Sequence, residues 1–182
     1  VGSVFKTFTF AAALDEKIIK PDTQFNNLEK KISCAGNLIR EYEEKIPKNL
    51  TAEDILIRSG NIGSVRIGQK IGIEKFKYFL KKLGLLDPIE FDILEVGKPL
   101  NFNWGKCKLA TISFGHGITT TALHLSRAYA IISNGGYKVK PTLIKTSNIN
   151  KNDYQKVLNP NVSNQVNKVL RKVVESKNGT AG

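Results

Sequence analysis

Apolar residues recur at helical spacing in six stretches of this chain, separated by polar or glycine-containing breaks. From Ser3 to about Glu16 the positions Phe5, Phe8, Ala11, Ala12 and Leu14 follow a helical repeat, and Pro21-Asp22 ends the segment. This first helix is so apolar that a central position is expected. Thr51, with Glu53 and Asp54 close behind, has the form of a helix N-cap followed by acids in the first turn, with Ile55, Leu56 and Ile57 as the buried side. That short helix stops at Ser59-Gly60-Asn61. Another starts there and runs through Ile62, Val65, Ile67 and Ile71 to Gly72, and Ile73 to Leu83 repeats the pattern with Gly84 as its terminal residue. Thr119 or Thr120 is expected to cap a helix with Leu123, Leu125, Ala128, Tyr129 and Ile132 on one side, ending at Asn134-Gly135-Gly136. A last amphipathic helix spans Val162 to about Ser176 and should turn Val166, Val169, Leu170, Val173 and Val174 inward.

The intervening stretches read differently. Residues 24–47 are broken and polar, an irregular excursion with short candidate strands at Lys31–Cys34 and Asn37–Arg40. The region from Leu85 to Ala110, with Pro88, Gly97, Pro99, Gly105 and the sole tryptophan, Trp104, reads as loop lying across the surface. Val139 to Thr146 alternates as a strand would.

Composition narrows the class only a little. A chain of 182 residues with 41% apolar positions can bury one core, so it is one domain or part of one. The formal charge of +12 raises anionic partners. The basic residues are nevertheless dispersed, and runs such as Glu41-Tyr42-Glu43-Glu44-Lys45 read as solvated surface, which argues against a nucleic-acid arm. Cys34 and Cys107 lack the paired spacing of a zinc site or redox couple. Two unpaired buried thiols are the expected state, with one disulfide as the alternative, and they assign no compartment. With two histidines and no acid cluster at ligand spacing, no metal and no other cofactor is implied. No stretch is long and apolar enough to span a bilayer. The opening Val1-Gly2-Ser3 and the closing Gly179 to Gly182 read as cut ends.

Ser3 and Lys6 are the first chemical candidates. A serine hydroxyl needs a base, and a lysine can serve when desolvation or a nearby cation lowers its pKa. At a spacing of three on a helix the two side chains share a face, and a serine in the first turn sits among free backbone amides that can hold an oxyanion. The second candidate is Ser59-Gly60-Asn61, where a hydroxyl and a carboxamide on a tight turn can relay a proton and fix a substrate amide. Alone, each has an ordinary reading: a helix cap and surface lysine for the first, a cap and turn for the second.

Their order and surroundings carry more. Ser-x-x-Lys followed by Ser-x-Asn is the order found in penicillin-binding proteins and class A β-lactamases, which add a Lys-Thr-Gly strand. Gly2-Ser3-Val4-Phe5-Lys6 with Ile19 to Thr23 resembles the opening helix and exit turn of the penicillin-binding proteins. Ile57 to Gly63 resembles their second motif, although a second serine is commoner at the position of Gly60. Phe76 to Gly84, and the block from Trp104 through Ser113-Phe114-Gly115-His116-Gly117 to Asn134-Gly135-Gly136, are similar to class B, division-type transpeptidases.

The resemblance implies an α+β transpeptidase fold of the penicillin-binding protein and serine β-lactamase type, of which residues 1–182 keep mostly the helical part. It implies a peptidoglycan D,D-transpeptidase in septal wall synthesis, with Ser3 as nucleophile, Lys6 as base, Ser59 and Asn61 assisting, and Gly60, Gly115 and His116 shaping the substrate site. His124 is expected to pack within its helix. Stem peptides would be the substrate, β-lactams covalent inhibitors, division membrane proteins the partners, and nucleic acid none. The whole protein would be anchored by one N-terminal helix in the inner membrane with this domain on the periplasmic side. The third motif is missing. Lys177-Asn178-Gly179-Thr180 follows the last helix directly and reads as linker, so Lys-Thr-Gly is expected beyond residue 182 and the isolated chain should be inactive. Rival readings are a serine β-lactamase or D,D-carboxypeptidase on the same scaffold, or a non-catalytic basic binding module.

Overall fold

Phe5 through Leu14 are buried without interruption, so the first helix has no solvated face and can only be an interior element. The computed structural model describes residues 1–145 and 154–181. In it a 3-10 turn, Ser3–Phe5, runs directly into α1 (Lys6–Asp15). Four helices surround α1: α2 (Ala52–Ile57), α3 (Asn61–Ile71), α4 (Ile73–Lys82) and, from the far end of the chain, α7 (Pro160–Glu175). The short α5 (Lys108–Ser113) lies on α3, and α6 (Ala122–Ser133) on α7. Edge-to-face aromatic pairs tie these together, with ring centroids 5.3 Å apart for Phe5 and Phe8, 6.5 Å for Phe5 and Phe76, and 5.0 Å for Phe8 and Tyr129. Each fully buried phenylalanine contributes about 1.5–3 kcal/mol through burial alone.

Helix ends follow local chemistry. Thr51 Oγ1 accepts from Asp54 N at 3.1 Å while the Asp54 carboxylate accepts from Thr51 N at 3.3 Å, a reciprocal capping box that starts α2 at the expected place. Gly84 ends α4 with φ +69°, and a Cβ there would lie 2.0 Å from the Arg127 guanidinium, which donates to the Gly84 carbonyl. Thr121, and not Thr119 or Thr120, caps α6 by accepting from His124 N.

The excursion after α1 contributes two small antiparallel ladders: β1 (Gln24–Phe25) with β4 (Leu50–Thr51), and β2 (Lys31–Cys34) with β3 (Asn37–Arg40). The second is a hairpin closed by Ala35 and Gly36, both at positive φ, and its strands have the expected bounds. Mostly helical with small two-stranded sheets, the chain has the expected α+β character.

Further expectations are corrected. The alternating stretch from Val139 forms no strand through Lys145, and Thr146 lies outside the described residues; alternation defines two faces but supplies no partner, and among the described residues here the bridge that forms is Tyr137 with Lys156. The stretch from Leu85 to Ala110 is not simply a surface loop: Leu85 and Ile89 are buried, Phe102 and Trp104 pack on the core, and α5 begins at Lys108. Six residues are too few to display a period. Gly68 lets α5 approach α3, since a Cβ there would sit 1.8 Å from Ser113 Oγ. Val174 is 54% exposed, because the buried stripe of α7 runs through Val162, Val166 and Val169 and has rotated past it.

The cysteines are not free. Cys34 and Cys107, 73 residues apart in sequence, form a disulfide that ties the tip of the β2–β3 hairpin to the residue preceding α5. Tertiary folding brings their Cα atoms to 5.7 Å, a proximity invisible in the spacing. Closing a loop of this size stabilises by about 4 kcal/mol in the chain-entropy picture. The double variant C34S/C107S is therefore expected to lose about 2–4 kcal/mol of unfolding free energy in chemical denaturation; an unchanged midpoint would show the bond to be idle.

Candidate active site

Ser3 sits in the 3-10 turn, and that turn is gripped from two sides. Gly2 N donates to Gly115 O at 2.9 Å, and the Tyr129 hydroxyl donates to Val4 O at 2.6 Å and lies 3.0 Å from Thr7 Oγ1. Gly115 has φ +88°, and a Cβ on it would lie 1.9 Å from Gly2 O, so glycine is required for the 113–117 loop to lie against the serine's backbone. Below, Thr9 Oγ1 donates to Ser113 O at 2.8 Å.

Lys6 is one turn further on, and its Nζ is 3.1 Å from Ser3 Oγ. The side chain is only 2% exposed. Its amine also donates to Ser59 Oγ at 2.8 Å and Ser59 O at 2.6 Å. Burial lowers the Lys6 pKa from 10.5 to about 8, with the Glu41 carboxylate acting in the opposite direction. Ser59 joins α2 to α3 at φ +54°, a conformation that costs a non-glycine residue about 1–3 kcal/mol and here directs both its hydroxyl and its carbonyl at Lys6. The structure thus brings Ser3, Lys6 and Ser59 into one hydrogen-bonded group.

The remaining candidates are arranged around it. Asn61 opens α3, and its side-chain amide donates to Arg40 O at 2.8 Å. A cavity of about 280 Å³ is lined by Ser3, Asn61, Gly115 and His116, joined by Tyr42 and Phe114. His116 is exposed and stacks on Phe114 at 6.0 Å between centroids. Gly60 is buried behind the turn and outside that lining; its backbone would accept a side chain, with the nearest atom 3.6 Å from a built Cβ. His124 is buried with its ring nitrogens on Thr121 Oγ1 and Asp87 O, a packing role as expected. Among the described residues no group of three potential ligands could hold a metal.

Two contributors escape sequence reasoning. Tyr42, 92% exposed, stands at the cavity rim. Glu41 reaches across to α3, where Oε2 accepts from Asn61 N at 2.6 Å and Oε1 from Ile62 N at 2.9 Å. A signal for it did exist: Gly60 has no side chain with which to cap α3, so those amides require an acceptor from elsewhere.

The fold is shared with known proteins. Over 98% of this chain and 54% of the other, the fold superposes on the transpeptidase domain of penicillin-binding protein 3 from Burkholderia pseudomallei with a TM-score of 0.87 and 26% identity. The chain is 28% identical over 185 residues to a probable peptidoglycan D,D-transpeptidase FtsI of Caulobacter vibrioides, covering all of this chain and 31% of that protein. It is 31% identical over 193 residues to a peptidoglycan D,D-transpeptidase FtsI homolog of Mesostigma viride, covering 97% of this chain and 32% of that one. The chain therefore spans about a third of the length of these relatives. With the sequence model of the penicillin binding protein transpeptidase domain matching residues 1–182 throughout, the chain belongs to that family.

Proposed function

We propose that the protein containing this chain is a serine D,D-transpeptidase that cross-links peptidoglycan stem peptides in septal wall synthesis, and that residues 1–182 are the part of its transpeptidase domain bearing the first two motifs. The observation that carries this reading is the Lys6 amine, buried and within hydrogen-bond reach of both Ser3 Oγ and Ser59 Oγ.

Of the three acceptors around Lys6 Nζ, Ser3 Oγ is the most distant at 3.1 Å, so it is the contact most easily inverted. Once Lys6 is neutral its lone pair can take the Ser3 proton while the two Ser59 bonds keep the amine in place. Ser3 Oγ then attacks the carbonyl of the penultimate D-alanine, and the C–N bond to the terminal D-alanine breaks. The leaving nitrogen takes a proton passed from Lys6 through Ser59. An amine of a neighbouring stem attacks the resulting ester, forming the amide cross-link and returning the proton to Ser3. A β-lactam enters by the same first step and stays on Ser3, its acyl-enzyme being slow to resolve. A third-motif strand elsewhere in the whole protein would supply the cationic anchor for the substrate carboxylate.

We infer a periplasmic position for the domain and a single membrane anchor elsewhere in the protein, with division membrane proteins as partners. The disulfide supports an oxidising compartment. No helix among the described residues is long and apolar enough to cross a membrane.

Incubation of the full-length protein with a fluorescent penicillin should label Ser3, and S3A should abolish the label. K6R, whose guanidinium stays protonated, is expected to slow acylation by about 10³-fold. Labelling that survives in S3A would sink the proposal.

The acylation rate should also depend on pH through Lys6. Below about pH 8 the amine is increasingly protonated and cannot accept the Ser3 proton, so the rate should rise about tenfold per unit toward that value and level off above it. Stopped-flow acylation from pH 6 to 10 measures the limb, and a flat profile would exclude Lys6 as base.

A further inference from the structure

We propose that Glu41 is the positioning residue of the second motif: its carboxylate, clasped on the amides of Asn61 and Ile62, holds the Ser59–Asn61 turn against the Lys6 amine. The inference deepens the enzyme reading above and rests on it.

The geometry begins with a deficit in α3. Its N-cap is Gly60, which has no side chain to offer, and its first turn contains no acid. Ile62 is fully buried, so its amide has no solvent to turn to. Glu41 meets both needs from outside the helix, with one oxygen on each amide at 2.6 and 2.9 Å. A carboxylate at a helix N-terminus is also favoured by the helix dipole. The neighbouring Arg40 carbonyl takes the Asn61 side chain at 2.8 Å, so two consecutive residues hold Asn61 by its backbone and by its carboxamide.

Glu41 can act as a reference point because the hairpin bearing it is itself fixed. Its own N–H donates to Lys30 O at 3.2 Å, extending the β2–β3 ladder by one bond. Ile39 is buried in a cluster with Ile62, Val65 and Ala110, which presses the hairpin onto α3. At the far end the Cys34–Cys107 disulfide fastens the tip. The turn between α2 and α3 is therefore set by contacts on both sides: Lys6 within, Glu41 without. Ser59 stands at φ +54°, a conformation that persists only where the surroundings over-determine it.

A simple helix cap would satisfy the same two amides, and charge separates the two roles. Glu41 is the carboxylate whose charge acts on Lys6. Several charged side chains on the elements packed around α1 are paired elsewhere, Arg66 of α3 with Glu29, Lys82 and Lys75 of α4 with Asp15 and Glu16, and Lys172 of α7 with Glu53 of α2, while Arg58, next to Ser59, has its Nε buried without a partner and is a cation that would lower the Lys6 pKa, opposite in sign to Glu41. Removing the Glu41 charge should therefore make Lys6 easier to deprotonate while loosening the turn that orients it.

The test uses the full-length protein, its acylation by a fluorescent penicillin followed from pH 6 to 10, and the variants E41Q and E41A. E41Q keeps the shape and an acceptor oxygen but loses the charge. Its ascending limb is expected to move to lower pH by about half a unit or more while the plateau falls about tenfold. E41A should lower the plateau at least as much; if it does not fold, E41Q alone decides. A slower plateau with an unmoved limb would reduce Glu41 to a helix cap and overturn the proposal, as would rates within about twofold of the unmutated protein at every pH. Absence of labelling in the unmutated protein overturns the enzyme reading and this inference with it, whereas labelling with an unmoved limb overturns the inference alone.

Discussion

The burial of one lysine amine organises this structure. Lys6 lies on a helix with no solvated face, so its nitrogen must find acceptors inside the protein or give up its proton. It does some of both. Three oxygens from two serines surround it, and its pKa still drops from 10.5 to about 8. That drop corresponds to about 3 kcal/mol of differential solvation between the two protonation states. At pH 7 about one such amine in ten is neutral, against about one in three thousand for a free lysine. An interior helix thus makes the amine of an ordinary side chain far easier to deprotonate, chiefly through burial.

The rest of the site consists of backbone arranged to keep that nitrogen company. Residues 2–6, 40–42, 59–61 and 113–117 are far apart in sequence, and each is held by a contact specific to its local chemistry. Gly115 admits the loop to within hydrogen-bond reach of Gly2, while Gly68 lets α5 close on α3 so that the loop following α5 arrives at the right height. Tyr129 on α6 clamps the turn containing Ser3 from the other side. Replacing any of these with a bulkier or shorter residue would move a wall of the site and leave the chemical groups untouched, which is how residues remote from a reaction come to govern it.

Helical periodicity made most of the scaffold readable: α1, the α2–α3 junction, α4, α6 and α7 follow their apolar spacing, α2 also starts at its expected cap, Thr51, and the hairpin strands 31–34 and 37–40 were visible as short runs. Patterns without a partner were less informative. The alternation after Val139 had no strand to pair with, and the six residues of α5 could not display a period. The cysteine pair and Val174 show the same limit in another form, since spacing along the chain does not report distance across the fold. At the site, the Ser3 and Lys6 pair could be read because three residues on a helix is itself a statement about geometry. Glu41 could not, because within Glu41-Tyr42-Glu43-Glu44-Lys45 it is one acid among several, and only the folded hairpin distinguishes the carboxylate that reaches α3.

Two opposed influences meet at Lys6, and their balance explains why the second motif is built as it is. Burial alone would push the amine further toward its neutral form, but a neutral amine holds the Ser59 oxygens less firmly than an ammonium does. A carboxylate nearby restores part of the charge-assisted bonding at some cost in basicity. Direct contact between Glu41 and Lys6 would tip that balance into an ion pair and hold the lysine protonated. Glu41 instead turns one oxygen to each of the Asn61 and Ile62 amides, which orients the carboxylate toward the helix terminus while its negative charge still acts on Lys6. Ser59 links the two sides of this balance: it gives both its hydroxyl and its carbonyl to Lys6 and lies two residues before Asn61, whose amide Glu41 holds, and its left-handed backbone at φ +54° is a local cost that the surrounding contacts sustain.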